Sequence, residues 1–149
     1  MTITWRKMVP ELDVSDFSVS LEFYTQILGF KVLYARHDPE FVYLEQEELQ
    51  LMLIQEKDKN WLGGTLEKPY GRGVNLQMEL KNIQPVYERL LKSKIALHRD
   101  IKDEWREAGN LLTGQLEFWV QDPDGYLLRF CQGLADRPLE GWTNVVTDG

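Results

Sequence analysis

Polar and aromatic side chains alternate with aliphatic ones along several stretches of this 149-residue chain. Successive side chains of a β-strand point to opposite faces, so residues two apart share a face. The aliphatic set, which includes Leu12 and Val14, is predicted to face the core. The opposite set offers carboxylates for cations, amides for hydrogen bonds and aromatic rings for stacking on flat molecules. Its candidate ligand-binding residues are Glu11, Asp13, Phe41, Tyr43, Asn75, Gln77, Glu79, Trp119 and Arg129.

A solvated polar face is the alternative interpretation of the same pattern, because antiparallel sheets often leave one face in water. The aromatic residues among the acids favour ligand binding instead. Trp61 lies in a polar, glycine-bearing segment, 57–72. It is predicted to close over the site, the alternative being simple docking onto the protein body.

Nucleophilic catalysis is not predicted, because no serine or cysteine stands near a histidine in a recognisable motif. His37 falls in a turn and His98 within a different strand. A carboxylate of the polar face could act as a general base if burial raised its pKa. No catalytic residue is therefore assigned.

Arg129 interrupts an apolar strand that follows the turn sequence QDPDG. Asp-Pro-Asp-Gly between two apolar runs predicts a β-hairpin. The sequence is compatible with two interpretations of this arginine. It pairs with Glu11, Asp13 or Glu79 as a structural ion pair, or it contacts an anionic or carbonyl group of a ligand.

The composition is that of one globular domain, with 43% hydrophobic and 28% charged residues. The net charge of −7 and the absence of a basic run argue against nucleic-acid binding. The acidity favours solubility, or it helps to attract a cationic ligand. No apolar run approaches the roughly 20 residues of a membrane span, and the N-terminus lacks the features of a secretion signal. The single cysteine, Cys131, fits a cytoplasmic protein.

Two halves of the chain show the same order of elements, βαβββ, which indicates a duplicated unit. Asp16 and Asn82 are the predicted N-caps of the two helices, Gly29 ends the first, and Pro85 lies in the first turn of the second. The predicted strands of the second half include IALHRDIK, LEFWVQ and YLLRFCQ. The single domain 1–149 is divided into module one at about 8–56, a linker at 57–72, module two at 73–132 and a tail at 133–149.

The stretches VPELDVSDFSVSLEFYTQILGFKV, GRGVNLQMELKNI and EFWVQDPDGYLLRF resemble the glyoxalase/bleomycin-resistance family, the vicinal oxygen chelate superfamily. The resemblance implies an α+β fold in which two βαβββ modules form curved mixed sheets around a cavity. In metal-dependent members, four strand side chains bind a divalent ion. Their positions fall on Val9, Met52, Asn75 and Arg129, which are not normal ligands, so neither a metal nor another cofactor is predicted.

By the same resemblance, the closest functional type is the non-metal bleomycin-resistance protein. Such a protein sequesters a bulky cationic or aromatic small molecule, a bleomycin-like drug for example, in a groove of a homodimer. One alternative is an enzyme of the superfamily, a lyase, isomerase or dioxygenase, with a non-standard or relocated site. Another is a binding or regulatory protein for a different small metabolite.

Overall fold

A computed structural model describes residues 2–57 and 62–139, and these form two four-stranded mixed sheets with two helices. Trp61 lies outside the described residues. In chain order the elements are β1 (Glu11–Val14), α1 (Phe17–Glu22), β2 (Lys31–Arg36), β3 (Phe41–Gln46), β4 (Leu49–Gln55), β5 (Asn75–Glu79), α2 (Gln84–Lys92), β6 (Arg99–Ala108), β7 (Leu111–Gln121) and β8 (Leu127–Pro138).

The two sheets have the same topology, which confirms the predicted duplication. The first unit has the strand order β1-β4-β3-β2 and the second β5-β8-β7-β6. In each, the first strand pairs in parallel with the last, and the remaining neighbours are antiparallel. The equivalent pairs Leu12 and Met78, and Val14 and Leu80, are all buried. The α+β fold with two βαβββ units is therefore as predicted.

The helix boundaries are partly as predicted. Asp16 caps α1, its side chain accepting a hydrogen bond from the amide of Val19 at 3.2 Å. A π-helical turn over Phe23–Ile27 extends the helix, and Gly29, with φ of +91°, reverses the chain after it. The helices are too short and insufficiently apolar, within the described ranges, to cross a membrane.

The predicted cap of α2 is wrong by one residue. Ile83 occupies the N-cap position, and its side chain forms no capping hydrogen bond. Asn82 still contributes, because its side-chain oxygen accepts the amide of Gln84 at 3.0 Å. Pro85 lies in the first turn, as predicted.

The strands of the second unit extend well beyond their predicted ends. The sequence predicts a strand over 95–102, but β6 runs over Arg99–Ala108 and forms a long hairpin with β7. Strand β8 likewise continues past Gln132 to Pro138. Residues 103–108 are mostly charged, so they lack the apolar alternation from which a strand is recognised.

One core lies between the helices and one face of each sheet. The faces predicted to be aliphatic meet there, with Val42 and Leu44 from the first sheet and Phe118 and Phe130 from the second. The rings of Phe118 and Phe130 stack with centroids 5.4 Å apart. Side-chain alternation therefore assigned the faces of these strands correctly.

The turn between β7 and β8 joins the two units through two buried aspartates. Asp124 accepts hydrogen bonds from the amide of Ser15 at 3.0 Å and from the Ser15 hydroxyl, and its carbonyl accepts the amide of Tyr70 at 2.8 Å. Asp122 accepts the hydroxyl of Tyr24 at 2.7 Å. Ser15 and Tyr24 belong to the first unit, so this turn ties it to the second.

Gly125 is the residue that lets this turn pack closely. Its φ is +94°, a conformation that residues with a side chain rarely adopt. A Cβ atom at this position would lie 2.5 Å from the Cβ of Pro69. The turn therefore requires glycine for both its conformation and its close approach to the linker.

Burial raises the pKa of Asp122 to about 6 from its ordinary value of 3.8. The hydrogen bonds from Tyr24 and from the amides of Asp124 and Tyr126 oppose this shift without cancelling it. The folded protein therefore holds the proton more tightly than the unfolded chain does. The stability that this proton gives is present below about pH 4 and is lost as the pH rises through about 6.

We expect Asp122→Asn to remove this pH dependence, because the amide keeps the shape of the side chain and does not ionise. Between about pH 4 and pH 7.5, the free energy of unfolding of the wild type should fall by roughly 2–3 kcal/mol relative to the variant. Urea unfolding of both proteins across that range measures the difference. Parallel pH profiles would contradict a raised pKa at Asp122.

Candidate functional site

The second sheet carries a ladder of charged, thiol and aromatic side chains on the face opposite the core. Cross-strand neighbours in a sheet stand about 5 Å apart, so residues in register interact directly. Two adjacent rows follow from the register. The first row is Glu79, Cys131 and Glu117, and the second is Gln77, Arg129, Trp119 and Arg99.

Glu117 is the most deeply buried charge of this face, with 2% of its surface exposed. Its Oε1 atom accepts hydrogen bonds from the guanidinium of Arg106 at 3.2 Å and, more weakly, from the indole Nε1 of Trp119 at 3.4 Å. The Oε2 atom is buried and has no hydrogen-bond partner among the described residues. Arg106 is thus the neutralising partner of this carboxylate.

Cys131 stands between the two glutamates of the first row and is fully buried. Burial raises the pKa of its thiol to about 11, and the negative charges of Glu79 and Glu117 add to the shift. A thiol that stays protonated is a poor nucleophile. The environment of Cys131 therefore does not activate its thiol.

Arg129 stacks against Trp119 and pairs with no carboxylate of the described chain. Its guanidinium carbon lies 5.1 Å from the indole centroid, within the range of a cation–π interaction. Its Nε atom is buried without a hydrogen-bond partner in the described ranges. Of the acids proposed to pair with it, Glu79 lies in the neighbouring row of the same sheet. Glu11 and Asp13 belong to the first sheet.

The corresponding face of the first sheet is covered by this chain's own N-terminal segment. Phe41 and Tyr43 are only 1% and 5% exposed. Tyr34 stacks on Tyr43 with centroids 5.3 Å apart, and Trp5 meets Tyr43 edge-on at 5.2 Å. These rings lie on the predicted face, but they pack against one another and against Trp5.

Gln50 holds the N-terminal segment over these rings. Its Oε1 atom accepts the hydroxyl of Tyr43 at 2.7 Å and the amide of Arg6 at 2.9 Å. Its Nε2 atom donates to the carbonyl of Thr4 at 2.8 Å. Trp5, held between these contacts, is still 57% exposed.

The structure divides the predicted site residues between the two sheets. Gln77, Glu79, Trp119 and Arg129 lie in adjacent rows of the second sheet, with Asn75 in the next row. On the first sheet, Glu11 is exposed and Asp13 is buried. The predicted closing residue, Trp61, lies outside the described part of the chain.

Sequence reasoning missed four residues that shape these faces. Glu117 could have been found, since it shares the alternation of Trp119, whereas Arg99 is identified only by its register with Trp119 in the structure. Trp5 and Arg106 gave no usable signal, because neither belongs to an alternating apolar run.

The four positions that the family resemblance assigns to metal ligands carry side chains that do not fit a metal ion. Val9 and Met52 pack against the buried aromatic cluster of the first sheet. Asn75 and Arg129 lie on the second sheet, and a guanidinium has no lone pair for a cation. Within residues 2–57 and 62–139, no group of three or more His, Cys, Asp or Glu is arranged to hold a metal ion.

Two depressions border the ladder of the second sheet. A cleft of about 280 Å³ lies between the N-terminal segment, β4 and β5, and Asn75 and Gln77 line it. An open groove of about 670 Å³ is lined by Glu79, Gly133 and the β3–β4 turn. The face is therefore open to solvent at both ends of β5.

The sequence is similar to that of one known protein superfamily. Residues 10–130 match the sequence profile of the Glyoxalase/Bleomycin resistance protein/Dioxygenase superfamily. A bleomycin resistance protein of Geobacillus stearothermophilus is 27% identical over 134 residues, covering 83% of this chain and 94% of that protein.

Solved structures extend the comparison. A glyoxalase/bleomycin resistance protein/dioxygenase superfamily member from Vibrio splendidus 12B01 is 37% identical over 83% of this chain and 95% of its own, with a TM-score of 0.40. TioX from Micromonospora sp. ML1 has a TM-score of 0.66 at 14% identity, over 87% of this chain and all of its own. The likeness to TioX is one of fold.

We expect the two arginines of the ladder to differ in their effect on stability. Arg106→Met leaves the buried Glu117 carboxylate without its cation and should cost roughly 1–3 kcal/mol of unfolding free energy. Arg129→Met removes only a cation–π contact and should cost less than about 1 kcal/mol. Urea unfolding of the two variants makes the comparison. A larger loss for Arg129→Met would show that Arg129 is a structural partner of an acid.

Proposed function

The chain belongs to the glyoxalase/bleomycin resistance protein/dioxygenase superfamily, and from that premise we propose that it is a non-metal binding protein of the bleomycin-resistance type. It sequesters a bulky aromatic or cationic small molecule without changing it. The ladder of the second sheet is its binding surface. The proposal includes a homodimer and a cytoplasmic setting.

The position of the Trp119 indole is the main support for this proposal. Its indole is half-buried on a sheet face that no described helix covers, with guanidinium carbons at 5.1 and 5.3 Å from its centroid. An aromatic ring flanked by charged groups offers a stacking surface and polar contacts together, as small-molecule sites do. A residue needed only for folding would more often point into the core, as the adjacent Phe118 does.

The chemistry of the face favours binding over catalysis. The Cys131 thiol is held protonated, and the positions that bind metal in related proteins carry Val9, Met52, Asn75 and Arg129. The bleomycin resistance protein of Geobacillus stearothermophilus aligns with 83% of this chain, and its name supports the binding of a drug-like small molecule.

In a dimer, the second copy would cover the face of the ladder that points away from the core. On the ladder, Trp119 and Arg129 are half-buried and Arg99 is exposed, whereas on the first sheet Trp5 packs against Tyr34 and Tyr43. A second copy related by twofold symmetry would place a surface of this chain over each ladder. The ligand would then lie between the copies.

We expect the protein to sediment as a dimer at micromolar concentration. Sedimentation equilibrium measures the mass directly, against 17.5 kDa for one chain. The expectation follows from the open face of the ladder, whose aromatic and buried polar groups would be shielded in the dimer. A single species at the monomer mass would contradict it.

Titration with bleomycin tests the binding proposal most directly. Binding should quench tryptophan fluorescence, and Trp119→Phe should lose most of that change while remaining folded. Trp119→Ala should weaken binding by roughly 1–3 kcal/mol, the range found where aromatic side chains stack on planar rings.

Trp105→Phe is the matched control, because Trp105 is an indole of the same sheet on the opposite face. It should leave binding unchanged. The dialysed protein is also assayed for metal. One equivalent of a divalent ion per chain, with no bleomycin binding, would favour the enzyme alternative.

A further inference from the structure

We propose that the ligand carries an oxyanion, a carboxylate or a phosphate, which binds the guanidinium of Arg129 beside Trp119. Arg99, whose guanidinium carbon lies 5.3 Å from the centroid of the same indole, supplies a second positive charge. This inference rests on the proposed binding function and names the chemical class of the ligand.

Two arginines beside Trp119 lack a carboxylate partner in the described part of this acidic protein. Arg129 and Arg99 both lie within 5.3 Å of the centre of Trp119. Neither has a carboxylate within 4 Å among the described residues. Six other cations of the described chain do have one, namely Arg6, Lys57, Lys68, Arg72, Lys102 and Arg106.

Neither of the ladder's two acids pairs with Arg129 in the described part of the chain. Glu117 is occupied by Arg106 and by the indole nitrogen of Trp119. Glu79 stands one row away, where it flanks Cys131 and lines the groove beside β5. Its carboxylate forms no ion pair with Arg129, although one row of a sheet face is a distance that two long side chains can span.

The burial of Arg129 separates it from two other stacked arginines. Arg36 lies over Phe41 and Arg137 over Trp105, but both residues are exposed to water. Arg129 is half-buried, and its Nε atom has lost water without gaining a partner in the described chain. An unsatisfied buried donor of this kind is costly unless a ligand or an ordered water completes it.

The geometry suits a flat molecule with an anionic end. A guanidinium stacked on an indole keeps its in-plane N–H groups directed outward, where they can bind a carboxylate or phosphate in a two-pronged fashion. The same indole can stack on the ring of the ligand. The overall charge of −7 opposes anions weakly, because charges beyond about 8 Å are largely screened at physiological salt.

The test uses four naphthalene probes that differ in the substituent at position 2, which is anionic, neutral or cationic. They are 2-naphthoate, 2-naphthyl phosphate, the neutral 2-naphthamide and the cationic 2-naphthylmethylammonium. Binding to the full-length protein is followed by the indole ¹H–¹⁵N signal of Trp119, which is assigned by its loss in Trp119→Phe. One of the two anionic probes should bind at least about ten-fold more tightly than the amide, and their ratio identifies the oxyanion.

Substitutions locate the site of the anion. Arg129→Gln should weaken the anionic probe by about ten-fold and leave the amide unchanged. Arg99→Gln should have a smaller effect that disappears at high salt, as expected for a more exposed charge. Arg137→Gln removes a guanidinium that stacks on an indole at 3.8 Å on the opposite face, and should change nothing.

Each contrary result has a distinct meaning. Equal binding of all four probes, or preference for the ammonium, would overturn the oxyanion and leave the binding function standing. An Arg129→Gln variant that binds the anion as well as the wild type would also overturn it. If none of the probes perturbs Trp119, and bleomycin does not bind either, the proposed function fails together with this inference.

Discussion

The carboxylates of the β7–β8 turn are the constraint on which the rest of the structure depends. Asp124 bonds to the chain at Ser15, and Asp122 bonds to Tyr24, so a turn of the second unit is anchored in the first. These bonds are buried, where a broken partner is far more costly than in water. They hold the start of β8 in place, and Arg129 follows Gly125 by only four residues. The position of the arginine is therefore set by a turn whose role is structural.

The two units share a backbone plan, but their outer faces differ. When the strand registers of the two sheets are compared, Tyr43 is equivalent to Trp119, Met52 to Arg129, and Phe41 to Glu117. In the first unit these positions are aromatic or apolar, and Trp5 packs against one of them, Tyr43. In the second they hold charges and an indole on an open face. Duplication thus supplied two similar surfaces, one of which is filled by the protein itself.

The replacement at position 129 also explains why family membership does not decide the chemistry. A scaffold that holds a metal in some members can accept an arginine at the same place, because the backbone geometry does not depend on which side chain a strand carries. In the proposed site, the permanent positive charge of Arg129 would take the place of that cation. A surface that would attract anionic groups through a metal ion can attract them through a guanidinium.

The sequence by itself determined the faces of the strands, the duplicated order of elements and the β7–β8 hairpin. These depend on local geometry, since alternation follows from the backbone of a strand, and Gly125 and Asp16 act on their immediate neighbours. The tertiary structure alone decided which charges pair. Arg106 reaches Glu117 and leaves Arg129 stacked on Trp119, and Trp5 covers Tyr43. Such choices arise from competition among groups distant in sequence, whose separation only the packed chain sets.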